Sequence, residues 1–438
     1  MADLPLWVIA LIGAVIFFGL MFLRLHVGLA LMAAGFIGFS LTRGLAAAKS
    51  TLATTVFEVA SSPILVVIPL FVVMGVIAGQ GGVIRAAFDT FDKWVGHLRG
   101  GLAMATVGSC AAFGAVCGDN IATAAVMNKA ALPQMRRFGY DDRLSFGSIA
   151  AGGNLGILIP PSAAFVVFGF ITETPIGPLF ISGIIPGIVL TLMFMGQIAL
   201  QCRLNPGLSS KHEPSNLLAR LKSLKGLVGV VIVFLLVMGG LMAGFFTPTE
   251  AGAVGTVAVI VVSLFYRQLS LRTIGRSLVE ATRTSAMILL LIMGARYFSY
   301  FITTTELATT LADAIAEASI NKYAILILVC VLYLILGALM DIWSVMIITL
   351  PIFFSILVDM GFSPLQLGVI TVLSIMIGCV TPPVGVVVFT LAGQHRDVPM
   401  YTIFRGVLPF VGTMCLLLLL LVFIPGLSTW LPSLMKSG

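Results

Sequence analysis

Runs of about twenty residues with almost no charge recur along this chain, and they limit what it can fold into more than any motif does. A bilayer core is about 30 Å thick, so a helix needs roughly 17–25 apolar residues to cross it. Ten such runs lie near 6–23, 27–46, 63–80, 145–172, 178–201, 226–245, 250–266, 284–304, 365–393 and 407–424. Charged residues are 9% of the 438 and hydrophobic ones 59%, with a mean hydropathy of +1.14, whereas a soluble chain is about one-quarter charged. So few charges cannot cover a water-facing surface of this size. A soluble enzyme, a disordered chain and a nucleic-acid binder are excluded. The net charge of +7 comes from Lys and Arg scattered through short loops, with no basic face. What remains is an all-α polytopic membrane protein with the lipid bilayer as its solvent. The start, Met1-Ala-Asp-Leu-Pro, lacks the basic region of a signal peptide, so the first run is expected to be a retained span. Six scattered cysteines form no C-x-x-C pair and read as small buried hydrophobes.

Two further apolar blocks carry polar or turn residues at their centres, where a simple span has none. Residues 101–133 surround Val116-Cys-Gly-Asp-Asn120, and residues 323–358 surround Gly337-Ala-Leu-Met-Asp341. Non-helical backbone at membrane depth must be buried in protein or face water, so both blocks read as re-entrant helical hairpins. Arg85, Lys93, Arg99, Lys129, Arg136, Arg137 and Arg143 flank the first; Lys322 alone, with Glu317 and Asp359, flanks the second. By the positive-inside rule the first hairpin opens to the cytoplasm and the second to the outside. The basic stretch near 202–225, which includes Lys211, then falls inside, as does the loop with Arg267, Arg272, Arg276 and Arg283. Both termini fall outside, and Arg43 and Lys49 do not conform.

The basic stretch divides the chain into halves that match. Gly139-Tyr140 pairs with Gly361-Phe362, Gly156-Ile-Leu-Ile-Pro-Pro161 with Gly378-Cys-Val-Thr-Pro-Pro383, and Gly183-Ile-Ile-Pro186 with Gly406-Val-Leu-Pro409, at offsets of 222, 222 and 223 residues. Each half has five crossings and one hairpin. An odd number turns the second copy upside down, the inverted-repeat pattern of secondary transporters. The expected organisation is a first repeat over 1–201, a cytoplasmic linker over 202–225 and an inverted second repeat over 226–438.

Two prolines in the middle of an apolar run remove backbone donors and clash with the preceding turn. The run 145–172 should therefore break near Asn154–Ser162, and 365–393 near Gly378–Gly385. Broken helices leave carbonyls free on one side, suited to Na⁺, and amides on the other, suited to an anion. The hairpin tips add Gly118, Asp119 and Asn120 in one half and Asp341 in the other. An aspartate within a membrane block is costly and marks function; Asp119 can be an ion ligand, a proton carrier or a helix N-cap. Asn154 and Thr381 offer neutral oxygens near each break, and Ser162 and Ser344 are further candidates. Arg296 stands inside an apolar span, stays charged and needs an anionic partner. That partner is either an aspartate such as Asp119 or Asp341, or the carboxylate or sulfonate of a substrate.

No catalytic motif competes with transport. His212-Glu213 is not H-E-x-x-H, and Walker A, G-x-S-x-G and G-x-G-x-x-G are absent from usable contexts. Gly118-Asp119 and Tyr140-Asp141 stand in the wrong order for an intramembrane aspartyl protease, and residue 116 is Val where that motif has Gly. An intramembrane enzyme would also need a nucleophile–base pair, and His26, His97, His212 and His395 all fall in expected loops or span ends.

Several stretches together resemble the large membrane subunit of TRAP (tripartite ATP-independent periplasmic) transporters. They are Ile68-Pro-Leu-Phe-Val-Val-Met-Gly75, Gly96-His-Leu-Arg-Gly-Gly-Leu102, Leu132-Pro-Gln-Met135 with Gly139-Tyr140, Leu155-Gly-Ile-Leu-Ile-Pro-Pro-Ser162, Leu179-Phe-Ile-Ser-Gly-Ile-Ile-Pro-Gly187, Thr247-Pro-Thr-Glu-Ala-Gly252 and Thr381-Pro-Pro-Val-Gly385. The resemblance implies an elevator-type, Na⁺-coupled importer of small organic anions in a bacterial inner membrane. It implies two partners, a small four-span membrane subunit and a periplasmic substrate-binding protein, and no cofactor besides the coupling ion. It carries Na⁺ sites onto Gly118, Asp119, Asn120, Asn154 and Gly156 in one half and onto Asp341, Gly378, Cys379 and Thr381 in the other. Arg296, Ser162 and Ser344 remain for the substrate. This chain departs from the family pattern at Cys117-Gly-Asp119, usually Ser-Gly-Ser, and at Gly153-Asn154, usually Ser-Thr. Either the ion ligands have been exchanged there or the ion or substrate differs. The alternative within transport is a one-component anion transporter of the same superfamily, working without a binding protein.

Overall fold

The computed structural model describes residues 6–23, 25–210, 216–266, 269–307, 310, 321–395 and 397–435. Met1–Pro5, Lys211, His212, Glu213, Arg267 and Glu317, all used above, lie outside them. Every regular element among the described residues is a helix. Eight of these helices are long and apolar enough to cross a bilayer, nine if one bent pair is counted as a span.

The first half opens with α1 (Leu6–Phe22), α2 (Val27–Arg43), α3 (Leu45–Ser61), α4 (Pro63–Gln80) and α5 (Val83–Val95). A hairpin follows, of α6 (Gly101–Cys117) and α7 (Asn120–Arg137). The next span is broken into α8 (Asp142–Leu158) and α9 (Ala163–Thr172), bent by 44°, and α10 (Ile176–Leu204) closes the half. The second half has α11 (Leu217–Met242), α12 (Pro248–Phe265) and α13 (Leu271–Thr304). Its hairpin is α14 (Lys322–Leu339) and α15 (Ile342–Asp359). Its broken span is α16 (Pro364–Gly378) and α17 (Val386–Gln394), followed by α18 (Met400–Phe423) and the short α19 (Gly426–Thr429).

The same backbone device ends each hairpin. Gly139 and Gly361 sit in the left-handed region at φ +69° and +88°, where a residue without a Cβ is favoured. The Gly139 amide donates to the Arg136 carbonyl and the Tyr140 amide to that of Met135, at 3.1 and 3.0 Å. The Gly361 amide donates to Val358 and the Phe362 amide to Leu357, at 2.8 and 3.2 Å. Both are glycine C-caps that satisfy the last helical carbonyls and launch the broken span.

The two broken spans run antiparallel. Near the start of α8, Phe146 meets His395, just past α17, with ring centroids 5.4 Å apart. Mid-span, the Asn154 side-chain amide donates to the Met376 carbonyl at 2.8 Å. Towards the end of α9, Phe168 packs on Gly368 near the start of α16.

Several elements differ from expectation: α11 begins at Leu217, inside the expected linker over 202–225, and α18 at Met400, before the expected 407; three others differ more. The span expected at 284–304 begins thirteen residues earlier, at Leu271, and its 34 residues run ~50 Å at 1.5 Å per residue, well beyond a bilayer core. α5 was not foreseen; it buries Val83, Ile84, Ala87, Phe88 and Thr90 and holds the 202–225 stretch, through Thr90 to the Ser223 carbonyl and Trp94 to the Arg220 carbonyl. α3 was not foreseen either. Lys49 lies on this helix and not in a loop, and the Tyr297 hydroxyl docks it by donating to the Ala48 carbonyl.

Candidate functional site

The first hairpin tip is built by a glycine and an aspartate. α6 ends at Gly118, at φ +69°, and Asp119 returns to extended backbone as the N-cap of α7, its Oδ1 accepting from the Ala122 amide at 2.6 Å. The tip rests on the break between α8 and α9. A Cβ at Gly118 would lie 2.5 Å from the Pro161 carbonyl oxygen, and one at Gly156 2.5 Å from that of Asp119. Behind it, the Asn120 amide donates to Asn154 Oδ1 at 3.2 Å, and Asn154 reaches on to Met376. Asn154 is wholly buried with both ends of its amide engaged, which removes the cost of burying them.

The second tip repeats the logic with different contacts. Asp341 caps α15, taking the Ser344 amide on Oδ2 at 3.2 Å and the Ser344 hydroxyl on Oδ1 at 2.6 Å. The Ala338 carbonyl accepts from the Val384 and Gly385 amides of the second break, at 3.2 Å each. Gly378 packs on the backbone of Gly337, and the Thr381 hydroxyl donates to the Gly378 carbonyl at 3.0 Å. The breaks differ in burial: Pro160 and Pro161 are buried, whereas Pro382 and Pro383 are exposed.

Gly118, Asp119 and Asp341 line one cavity of about 570 Å³, together with Cys117, Ala163 and Trp343 on the hairpin side and Phe71, Gly75, His26, Glu280 and Thr284 on the other. Cys379, just past α16, is buried and is not in the cavity wall. Asn120, Asn154, Gly156, Gly378 and Thr381 are not in its wall. Ser344 is committed to Asp341, and Ser162 is a buried cap for α9, its Oγ accepting from the Ala164 amide; neither lines the cavity.

Arg296 is not brought to the aspartates. Among the described residues it forms no ion pair, and it lines a different cavity of about 630 Å³ with Phe170, Glu173, Thr174, Thr247 and Thr249. Its guanidinium carbon sits 5.9 and 5.7 Å from the ring centres of Phe170 and Tyr300. Sequence reasoning missed Glu280. Its signal is the spacing 280, 284, 287, 288, 291, which places those cavity-lining residues on one face of α13.

Two hairpin tips that line one cavity, beside two antiparallel broken spans, describe a polytopic membrane protein of the kind that moves small solutes across a bilayer. The chain matches the model of the tripartite ATP-independent periplasmic transporter, DctM component, over residues 14–427, and it belongs to that family. It is 35% identical to the C4-dicarboxylate TRAP transporter large permease protein of Pseudomonas aeruginosa, covering 87% of this chain and 89% of that one. It is 34% identical to an isethionate TRAP transporter permease of Oleidesulfovibrio alaskensis, over 82% of this chain and 56% of the relative. It is 30% identical to the sialic acid TRAP transporter permease of Haemophilus influenzae, over 95% and 67%. Among solved structures, the YdaH transporter of Alcanivorax borkumensis shares the fold with a TM-score of 0.58 at 16% identity, over 87% and 89% of the two chains. The protein is thus a multi-pass TRAP permease of the inner membrane, in a family whose relatives are named as transporter components and not as enzymes.

Proposed function

We propose that this permease imports a small organic anion, a carboxylate or sulfonate, together with Na⁺. The observation that carries this reading is that Asp119 and Asp341, from separate hairpin tips, line one cavity. Na⁺ sites fall to Gly118, Asp119, Asn120, Asn154 and Gly156 on one side and to Asp341, Gly378, Cys379 and Thr381 on the other, where tip and break carbonyls add oxygen donors. Bound Na⁺ neutralises the carboxylates and orders the tips, and the anion follows. Ser162 and Ser344 support the tips from behind.

The anion class is supported by the relatives, named for C4-dicarboxylates, isethionate, sialic acid and 2,3-diketo-L-gulonate. The family description, tripartite, supports two partners: a small four-span membrane subunit and a periplasmic binding protein that delivers the anion. The antiparallel broken spans and matched glycine caps support two inverted repeats over 1–201 and 226–438. An elevator motion is supported by the cavity walls. One wall belongs to the hairpins and the break, the other to α4 and the long α13, so the hairpin side can slide against a fixed scaffold. The Na⁺ gradient and membrane potential, about 2.3 kcal/mol per charge per 100 mV, drive uptake.

The test is uptake of labelled succinate and isethionate into proteoliposomes holding both membrane subunits, with the binding protein outside. Accumulation is expected only with an inward Na⁺ gradient. The same uptake under a K⁺ gradient would refute sodium coupling, and the same uptake without the binding protein would establish a one-component transporter.

A further inference from the structure

We propose that the Arg296 cavity is a second binding site for the carboxylate or sulfonate of a small organic anion, separate from the aspartate cavity. This deepens the anion-uptake reading above and rests on it. Helix α13 lines both cavities, with Glu280 in one and Arg296 in the other. Leu291 is the last α13 residue on the first cavity, so five residues, ~7.5 Å of helix, separate its wall from Arg296. α9 agrees, with Ala163 in the first cavity and Phe170 in the second.

Three observations make the Arg296 cavity a place for an anion. The guanidinium cannot lose its charge, and among the described residues no carboxylate comes within ion-pair distance of it. Phe170 and Tyr300 hold it by their ring faces, which orients the charge without neutralising it. The facing wall is the start of α12, where Thr247 caps the helix and Thr249 occupies its first turn. Glu250 Oε2 already accepts from the Thr247 amide and hydroxyl at 2.8 and 2.9 Å, so the hydroxyl this wall offers an anion is that of Thr249. At about 630 Å³ the space suits a small organic ligand. The aspartate cavity has the opposite character, with Asp119, Asp341 and Glu280 in its wall and no Lys or Arg, so an anion arriving ahead of Na⁺ is repelled there.

Glu173 is the competitor. It is exposed in the same wall as Arg296, at the end of α9, in the left-handed region at φ +57°. Its charge opposes an incoming anion and keeps the site weak enough to release what it takes. Because Glu173 follows the broken span while Arg296 and Thr249 sit on α13 and α12, an anion held here touches both sides of the proposed sliding boundary.

The experiment is equilibrium binding of succinate and isethionate to the full chain with its small subunit, in phosphatidylcholine nanodiscs and Na⁺-free buffer. Arg296→Gln should weaken binding at least tenfold, with Arg296→Lys in between, and Glu173→Gln should tighten it severalfold. Opposite shifts from two neighbours cannot come from misfolding; if Arg296→Gln does not fold, the Glu173→Gln shift decides alone. Location is read from Thr249→Cys: an anionic thiosulfonate reagent should label it faster than a trimethylammonium one, and succinate should protect it. No tightening in Glu173→Gln, or no protection of Thr249→Cys, overturns the proposal. Protection seen in phosphatidylcholine and lost in phosphatidylglycerol also overturns it, by making a lipid phosphate the occupant. The assay uses no gradient, so it stands or falls apart from sodium coupling.

Discussion

The aspartate cavity and the arginine cavity are similar in size and share one long helix, yet their charges are opposite. Asp119, Asp341 and Glu280 face the first; Arg296 faces the second, with Glu173 beside it. The cause is helical phase. Residues 280, 284, 287, 288 and 291 share a face of α13, and at 100° per residue Arg296 lies roughly 140° around from it and ~15 Å further along. One rigid helix thus presents anionic surroundings at one depth and a cation at another. At an effective dielectric near 20, two like charges 4 Å apart repel by ~4 kcal/mol. On the proposed reading, an organic anion and an empty aspartate cavity therefore exclude each other, and Na⁺ would make them compatible.

The comparison breaks most sharply at Asp119, which does two things that can be pulled apart. As an N-cap it is replaceable by Asn; as a cation ligand it is not. Asp119→Asn should therefore keep the wild-type melting temperature while losing a charged ligand worth ~3 kcal/mol, on the order of 100-fold in Na⁺ affinity. Titrating uptake against Na⁺ reads the effect. An Asn variant with wild-type Na⁺ dependence would reduce Asp119 to a cap and leave the acidic cavity without its ion.

Gly156→Ala comes next. The added methyl would meet the Asp119 carbonyl and the Thr123 hydroxyl at 2.5 and 2.6 Å, so the first tip must shift. Overpacking of this kind costs ~1–3 kcal/mol, and it should lower the melting temperature and weaken Na⁺ binding while sparing anion binding at Arg296. Gly177→Ala is the control, since its nearest neighbour, the Met435 methyl, would be 3.9 Å away. Equal loss in both variants would mean that the tip does not depend on close backbone approach.

These particulars show what the sequence could and could not reveal. The breaks at Pro160-Pro161 and Pro382-Pro383 were legible because a missing N–H is a local fact. The tip was legible too, since Gly118 followed by Asp119 is a turn and a cap in two residues. The partner of Arg296 was not legible, because choosing between an aspartate and a ligand depends on which face of α13 meets the hairpins. Glu280 escaped because the uniformly apolar run begins at 284, four residues beyond it. α3 and α5 escaped for a related reason: an amphipathic helix beside the spans has no uniformly apolar run. Asn154 was singled out as an oxygen donor near the break, yet its link to Met376 depends on the antiparallel packing of two spans far apart in sequence.

The smallest effect is expected where charge lies outside both cavities. Arg136 reaches Asp142 at 3.2 Å and Asp397 at 2.7 Å, tying the loop after α17 to the start of α8. Hydrogen bonding to Arg136 holds the exposed Asp397 carboxyl below the usual carboxylate range. A carboxyl lowered in the folded state stabilises the fold above its unfolded pKa of about 3.9, and the contribution disappears as pH falls through the folded value. Asp397 also lies 3.8 Å from His395 Nδ1, and Asp397→Asn should accordingly melt slightly below wild type at pH 7, by a margin that closes below pH ~4. A margin that persisted well below pH ~4 would disprove the pairing. The variant should also leave the Na⁺ dependence of uptake and the Arg296-dependent anion binding unchanged, because neither cavity includes these residues in its wall. If it altered either, charge at the surface would be setting what the two cavities bind, and their difference could no longer be assigned to the faces of α13.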